Sequence, residues 1–265
     1  MIIIGECINS TSKRISEAVA AKEEEFLLKL AQDQSDAGAD YIGVNVGTGK
    51  GSLENEVTDM RWLVNLIQEK VETPICIDSS DPSVIEAGLD VRQERPTMIN
   101  SVKAEKESIQ AILPLAKEKN TTLIGLAMDE NGIPSSDDGR IRACEFLLRA
   151  AEKYGILHEN LYIDSIVMPI STGDSQGRTT LETLKRIKES FPEVKTVLGL
   201  SNISFGLPGR SVINQSLLAP ALYLGLDAAI MDPLDMGLVK AMRATEAVLG
   251  KDRRCRKYTR LLRSA

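Results

Sequence analysis

The stretch KTVLGLSNISFGLPGR, residues 195–210, carries the reading of the fold. Residues 196–200 form a short apolar run with the branching of a buried strand. It breaks at once into Ser201, Asn202 and a loop with glycines at Gly206 and Gly209. A buried strand that ends in polar residues and leads into a helix is the unit of a parallel α/β barrel. In such a barrel the carboxyl ends of the strands and the loops after them build the active face, and Asn202 falls there.

The same unit recurs along the chain. Residues 2–9 read as an apolar strand with Glu6 and Asn9 near its end, followed by a helical stretch over 16–37 that Gly38 closes. Strand 41–46 brings Asn45 beside Gly47, Gly49 and Gly51, before a helix over 54–71. Strand 74–78 ends in Asp78, Ser79 and Ser80, with Pro82 in the first turn of a helix to 89. Strand 97–100 ends in Asn100 and Ser101, before a helix over 105–119; strand 121–128 leads into a polar loop through Asp138. Helix 140–154 stops at Gly155, strand 161–163 runs into Asp164, and helix 180–190 follows. After the opening stretch come helix 212–224, strand 228–231 ending at Asp232, and helix 238–249.

Eight strand and helix units in strict alternation predict a (β/α)8 TIM barrel rather than an open sheet. The length of 265 residues fits one such barrel, so residues 1–265 read as a single domain without a linker. The segment 251–265, KDRRCRKYTRLLRSA, sets seven basic residues against Asp252. It reads as a solvated face, or as a helix docked over the amino-terminal end of the barrel. Trp62 reads as core or interface, and Met98, Met128, Met168 and Met231 as core filling.

Hydrophobic residues at 43% and charged residues at 26% argue against a disordered chain. No apolar run reaches the ~18 residues of a membrane span. MIIIGECIN lacks the basic flank and cleavage site of a signal peptide, so a cytoplasmic protein is expected. A net charge of −6 disfavours nonspecific nucleic-acid binding. Cys7, Cys76, Cys144 and Cys255 are scattered and His158 is the single histidine. The expectation is therefore of buried thiols and no metal site.

The strand ends collect Glu6, Asn9, Asn45, Asp78, Asn100, Asp164, Asn202 and Asp232 around one cleft. Such a ring suits a flat heterocycle rich in hydrogen-bonding groups. A pterin presents an amino group and ring N–H donors to carboxylates, and its acceptors suit amides or Arg210. A sugar phosphate would call for glycine nests and helix amino termini, which Gly206 and Gly209 leave open. Asp78, ahead of Asp81 and Pro82, also reads as a helix cap, as does Asp232 ahead of Pro233.

GECIN (5–9), VNVG (44–47), CIDSS (76–80), MINS (98–101), YIDS (162–165), LGLSN (198–202), RSVIN (210–214) and GLDAAI (225–230) run in order over nearly the whole chain. Together they resemble the methyltetrahydrofolate:corrinoid methyltransferases, a family of pterin-binding barrels akin to dihydropteroate synthase. The resemblance implies transfer of a methyl group between N5 of tetrahydrofolate and the cobalt of a corrinoid (cobalamin) held on a separate protein or free in solution. It implies that Asp78, Asn100 and Asp164 hold the pterin with Ser201 and Arg210 close by, and that Asn202 hydrogen-bonds near N5. Glu6 and Asn45 join the pterin-binding set, and a homodimer is expected. His158 lies in YGILHENLYI, without the Asp-x-His-x-x-Gly pattern of a corrinoid-binding module, so the corrinoid must come from outside the chain.

Departures from the family are Gly43, where an aspartate often stands, and the segments ISFGLPGR and SIVMPISTGDSQGR. The rival readings are a dihydropteroate synthase and a noncatalytic pterin- or corrinoid-binding component. The synthase would need more cations around a pyrophosphate than Arg210 supplies.

Overall fold

A computed structural model of the chain describes residues 1–48 and 51–263; Gly49, one of the glycines expected beside Asn45, lies outside them. Eight strands pair in parallel in chain order, and the last closes on the first. They are β1 (Ile2–Asn9), β2 (Tyr41–Asn45), β3 (Ile75–Asp78), β4 (Thr97–Ala104), β5 (Thr122–Asp129), β6 (Leu161–Asp164), β7 (Lys195–Gly199) and β8 (Ala228–Met231). Two helices, α1 (Lys13–Ala20) and α2 (Glu24–Asp36), fill the first crossover. The remaining crossovers hold α3 (Leu53–Lys70), α4 (Pro82–Asp90), α5 (Lys106–Glu118), α6 (Asp137–Lys153), α7 (Gln176–Ser190) and α8 (Arg210–Tyr223). The chain then runs through α9 (Met236–Val248) to α10 (Arg256–Arg263).

Side chains alternate along a strand, so every second residue enters the barrel. Ile4, Cys76, Met98, Ile124, Tyr162, Val197 and Ala228 form an apolar interior cluster of their own, distinct from the larger core between strands and helices. Two residues further along the same strands stand Glu6, Asp78, Asn100, Leu126, Asp164, Gly199 and Ile230. The barrel is thus plugged with hydrocarbon in its middle and turns polar one layer higher.

The structure corrects several expected boundaries. The stretch 16–37 is two helices, because Lys22 takes a left-handed conformation (φ 53°) and the Glu23 N–H closes back onto the Ala18 carbonyl at 2.9 Å. That ending is ordinarily made with glycine, so a lysine gives no sequence signal for it. Lys22 then pairs with Asp59 and stands 3.9 Å over the Trp62 ring. Trp62 itself is partly buried and packs on the core from α3. Strand β4 does not end at Asn100 but runs on to Ala104, with shifts of register after Asn100 and after Lys103. Helices α6 and α7 begin earlier than expected, at Asp137 and Gln176, and the run after Gly199 is a 3-10 turn, Leu200–Ser204, not strand.

The thiols are not uniformly buried. Cys76 and Cys144 are, but Cys7 is half-buried and Cys255 exposed. The basic segment packs α10 onto α9, with the N–H groups of Lys257 and Tyr258 donating to the buried Asp252 carboxylate at 3.1 and 2.9 Å.

Glycine is required where β1 and β2 lie side by side. A Cβ on Gly43 would stand 2.6 Å from the Gly5 carbonyl oxygen, and backbone cannot swing aside as a flexible side chain does. The aspartate often present at this position in the family that the sequence resembles could not stand here without moving β1. Gly43→Ala should therefore lower stability by about 1–3 kcal/mol, read as a shifted denaturation midpoint at unchanged slope. A midpoint equal to that of the unsubstituted protein would show that β1 and β2 separate freely.

Candidate active site

A cavity of about 290 Å³ opens at the carboxyl end of the barrel, floored by Ile4 and Cys76, with Ile230 on its wall. Glu6 and Asn9 from β1, Asp78 from β3, Asn100 from β4, Asp164 from β6 and Asn202 from the turn after β7 stand on its wall. Irregular pairing helps to aim these groups. The pairing of β1 with β2 slips between Gly5 and Ile8, the interval that holds Glu6. The pairing of β4 with β5 slips just after Asn100, where the Asn100–Ser101 peptide is cis. Such breaks re-aim side chains and gather beside functional sites.

Capping does not consume Asp78. Asp81 caps α4 instead, accepting from the Ser83 N–H at 2.8 Å, with Pro82 in the first turn. Asp232 does serve the backbone, accepting from the Leu234 N–H at 2.8 Å and from the Cys7 thiol at 3.1 Å. Asn9 likewise closes a turn, accepting from the N–H and hydroxyl of Thr11 at 3.0 and 2.8 Å.

Three carboxyls facing the cavity hold their protons unusually well. Burial raises Asp78 to about 6, against a hydrogen bond from Asn45 that pulls the other way. Burial likewise raises Asp164 to about 6; N–H groups of Ile166 and Gly199 and the charge of Arg140 oppose it. Glu6 rises to about 7, first through burial and then through the charge of Asp232, while Ser201 and Arg210 act in the opposite sense. These are acids and bases that change state near neutral pH.

The turn after β7 is clamped from both sides. The Ser201 hydroxyl donates to Glu6, and Arg210, at the start of α8, donates to the Ser201 carbonyl at 2.7 Å and to the Ser204 hydroxyl at 3.0 Å. Arg210 and Ser201 thus fix the turn that presents Asn202, and among the described residues neither lines the cavity. Asn45 stands on an adjoining chamber, its side chain accepting from the Gly47 N–H at 3.0 Å.

One residue that supports the site went unread in the sequence. Arg140, 1% exposed, donates to the carbonyls of Ser165 and Ile166, each at 2.7 Å, and to that of Pro134 at 3.1 Å. Ile166 is held at φ 62°, a strained conformation for a β-branched residue, while its N–H donates to Asp164 at 2.8 Å. The guanidinium stabilises the loop that fixes the Asp164 carboxylate. Nothing in GRIRAC distinguishes Arg140 from its neighbour Arg142, since only burial tells them apart.

Residues 5–232 match the family described as pterin binding enzymes. The chain belongs to that family. The methylcorrinoid:tetrahydrofolate methyltransferase of Eubacterium limosum is 36% identical, over 99% of this chain and 96% of its own length. The methionine synthase of Mycobacterium tuberculosis is 30% identical over 87% of this chain, which spans only 20% of that larger protein. Among solved structures, Yersinia pestis DHPS superposes with a TM-score of 0.73 at 17% identity, covering 94% of this chain and 93% of its own. Dihydropteroate synthase of Stenotrophomonas maltophilia gives 0.70 at 20% identity, covering 93% and 92%. At that identity the likeness establishes the barrel of this pterin-binding enzyme and not its reaction. Among the described residues no group of three or more His, Cys, Asp or Glu side chains is placed to hold a metal ion.

The raised carboxyls link stability to pH. A carboxyl whose folded pKa lies above its unfolded one contributes fully below the unfolded value, and that contribution is lost as pH rises through the folded value. For Asp78 the window runs from 3.8 to about 6. Asp78→Asn should therefore flatten part of the decline in stability between pH 4 and 8. At pH 8 it should exceed the native protein by up to about 3 kcal/mol in denaturant titrations, the equivalent of that pKa difference. Parallel stability curves for the two proteins would contradict this.

Proposed function

We propose that this pterin-binding enzyme transfers a methyl group between N5 of tetrahydrofolate and the cobalt of a corrinoid carried by a separate protein. The observation that carries the reading is the cavity wall itself. Asp78 and Asp164 face Asn100 and Asn202 across a space with an apolar floor. Carboxylates accept from the amino and ring N–H groups of a pterin, while the amides can donate to its acceptors. The near-identical length of the Eubacterium limosum methyltransferase supports the same reading.

The corrinoid is the second substrate, and it supplies a cobalt that accepts or releases methyl. Exposed Ile170, Phe205 and Leu234 follow β6, β7 and β8, Met236 opens α9, and these apolar side chains at the carboxyl ends of the strands suit the apolar face of a corrin ring. Asn202 has no useful acidity, so it works by a placed hydrogen bond that strengthens as charge develops at N5. The proton itself belongs to the carboxyls. Glu6, Asp78 and Asp164 titrate at about 7, 6 and 6, so one of them can take the proton that N5 loses on methylation and return it in the reverse direction. Methylation of the folate should accordingly speed up as pH rises from 5.5 to 7.5, and demethylation slow down. No helix among the described residues is long and apolar enough to cross a membrane. We place the reaction in the cytoplasm.

Methylation of tetrahydrofolate by free methylcobalamin, followed through the cobalt spectrum, tests the function. No turnover in this direction, nor with methyltetrahydrofolate and reduced cobalamin in the reverse one, would refute it. In the same assay Asn202→Ala should slow the saturated single-turnover rate by ~10²–10³ while changing folate binding less. An unchanged saturated rate would reduce Asn202 to a binding group.

The reading extends to a homodimer. On α8, Val212 and Tyr223 are 68% and 75% exposed and stand eleven residues apart, three helical turns along one face. Two large apolar side chains exposed on one helix face suit burial against a second copy related by a twofold axis. Light scattering should give twice the chain mass, with Val212→Glu shifting it toward monomer. A monomeric mass for the unsubstituted protein at working concentration would exclude the pairing.

A further inference from the structure

A second chamber, of about 330 Å³, adjoins the pterin cavity and shares Asp78, Ser101 and Leu126 with it. Its wall carries two half-buried groups of opposite charge, Glu56 from α3 and Lys103 from β4. They do not pair with each other. The Glu56 carboxylate lies over Gly47, where an added Cβ would stand 3.7 Å from Oε2, and it has no hydrogen-bond or ion-pair partner among the described residues. The Lys103 ammonium makes no hydrogen bond among the described residues, and the Glu105 carboxylate stands 3.9 Å from it. Its own backbone is pinned by the N–H donating to the Ser108 hydroxyl at 3.0 Å, on the same wall. A carboxylate without a partner among the described residues and an ammonium with only the Glu105 carboxylate 3.9 Å away, standing in one chamber, suit a ligand that brings both a donor and an acceptor.

We propose that this chamber takes the p-aminobenzoyl-glutamate half of the folate. This rests on the folate reading given above and adds the place where the rest of that molecule lies. Lys103 receives a glutamate carboxylate as a charge-assisted hydrogen bond, and Glu56 accepts from an amine or amide N–H of the tail. Leu126, common to both spaces, offers apolar surface to the benzoyl ring. The chamber therefore makes the enzyme discriminate whole folates from bare pterins, because a bare pterin leaves the Lys103 ammonium and the Glu56 carboxylate without a hydrogen-bond partner.

Calorimetry with tetrahydrofolate and with 6-methyltetrahydropterin, which has the ring but no tail, separates this from pterin binding itself. The native protein should bind the whole folate more tightly. Lys103→Met should weaken tetrahydrofolate binding about tenfold and leave the truncated pterin unchanged. Lys103→Arg should keep most of the affinity, and added salt should weaken only the whole folate. Glu56→Gln should likewise act on tetrahydrofolate alone. Equal affinity of the native protein for both ligands, or variants that lose both ligands equally or neither, would overturn the assignment. Failure of the native protein to bind either ligand would instead refute the pterin reading on which it stands.

Discussion

Carboxyl groups set directly above a hydrocarbon plug are the constraint on which the rest of the site depends. A buried carboxylate loses hydration that only placed donors can replace. The structure supplies those donors sparingly. Asp164 receives the N–H groups of Ile166 and Gly199 and the field of Arg140, Asp78 a hydrogen bond from Asn45, and Glu6 the Ser201 hydroxyl. In each case burial still wins, so all three acids titrate well above their ordinary values. The remaining hydrogen-bonding capacity is what a ligand rich in N–H groups can satisfy.

That constraint orders the surrounding architecture. Arg140 is itself buried and needs acceptors, and the carbonyls of Ser165 and Ile166 serve only because Ile166 is held left-handed. Thr180, from α7, adds its hydroxyl to the same Ile166 carbonyl at 3.0 Å. After the next strand Arg210 braces the turn of Asn202 through Ser201 and Ser204. Two arginines therefore hold the two loops that bear Asp164 and Asn202. Loops after adjacent strands are fixed from outside, and the cavity between them stays free of arginine.

The barrel and most of the cavity wall were legible in the sequence for a simple reason. Period two along eight short strands places Glu6, Asp78, Asn100 and Asp164 on the interior side as surely as it places Ile4, Cys76, Met98 and Tyr162. What escaped depends on tertiary environment. The break at Lys22 lacks a glycine, and the continuation of β4 past Asn100 runs through register shifts that no periodicity announces. Arg140 looks like a surface arginine. The bonds that Arg210 makes to the Ser201 carbonyl and the Ser204 hydroxyl leave no trace in the sequence either. The polarity of a residue can be read from the chain, but which neighbour it satisfies cannot.

Gly43 shows how such an environment limits chemistry as well as shape. The inward position two residues before Asn45 could carry a further acid, as it often does in the family. Here it faces the Gly5 carbonyl too closely for any side chain. A fourth carboxyl at that point would stand on the cavity wall near Glu6 and raise it further, since like charges across a small space disfavour ionisation of both. With hydrogen in that place, Asp232 is the negative charge that acts on Glu6, and it is pinned by the Leu234 N–H and the Cys7 thiol. The glycine therefore keeps Glu6 within reach of neutral pH, where a carboxyl can both take and return a proton.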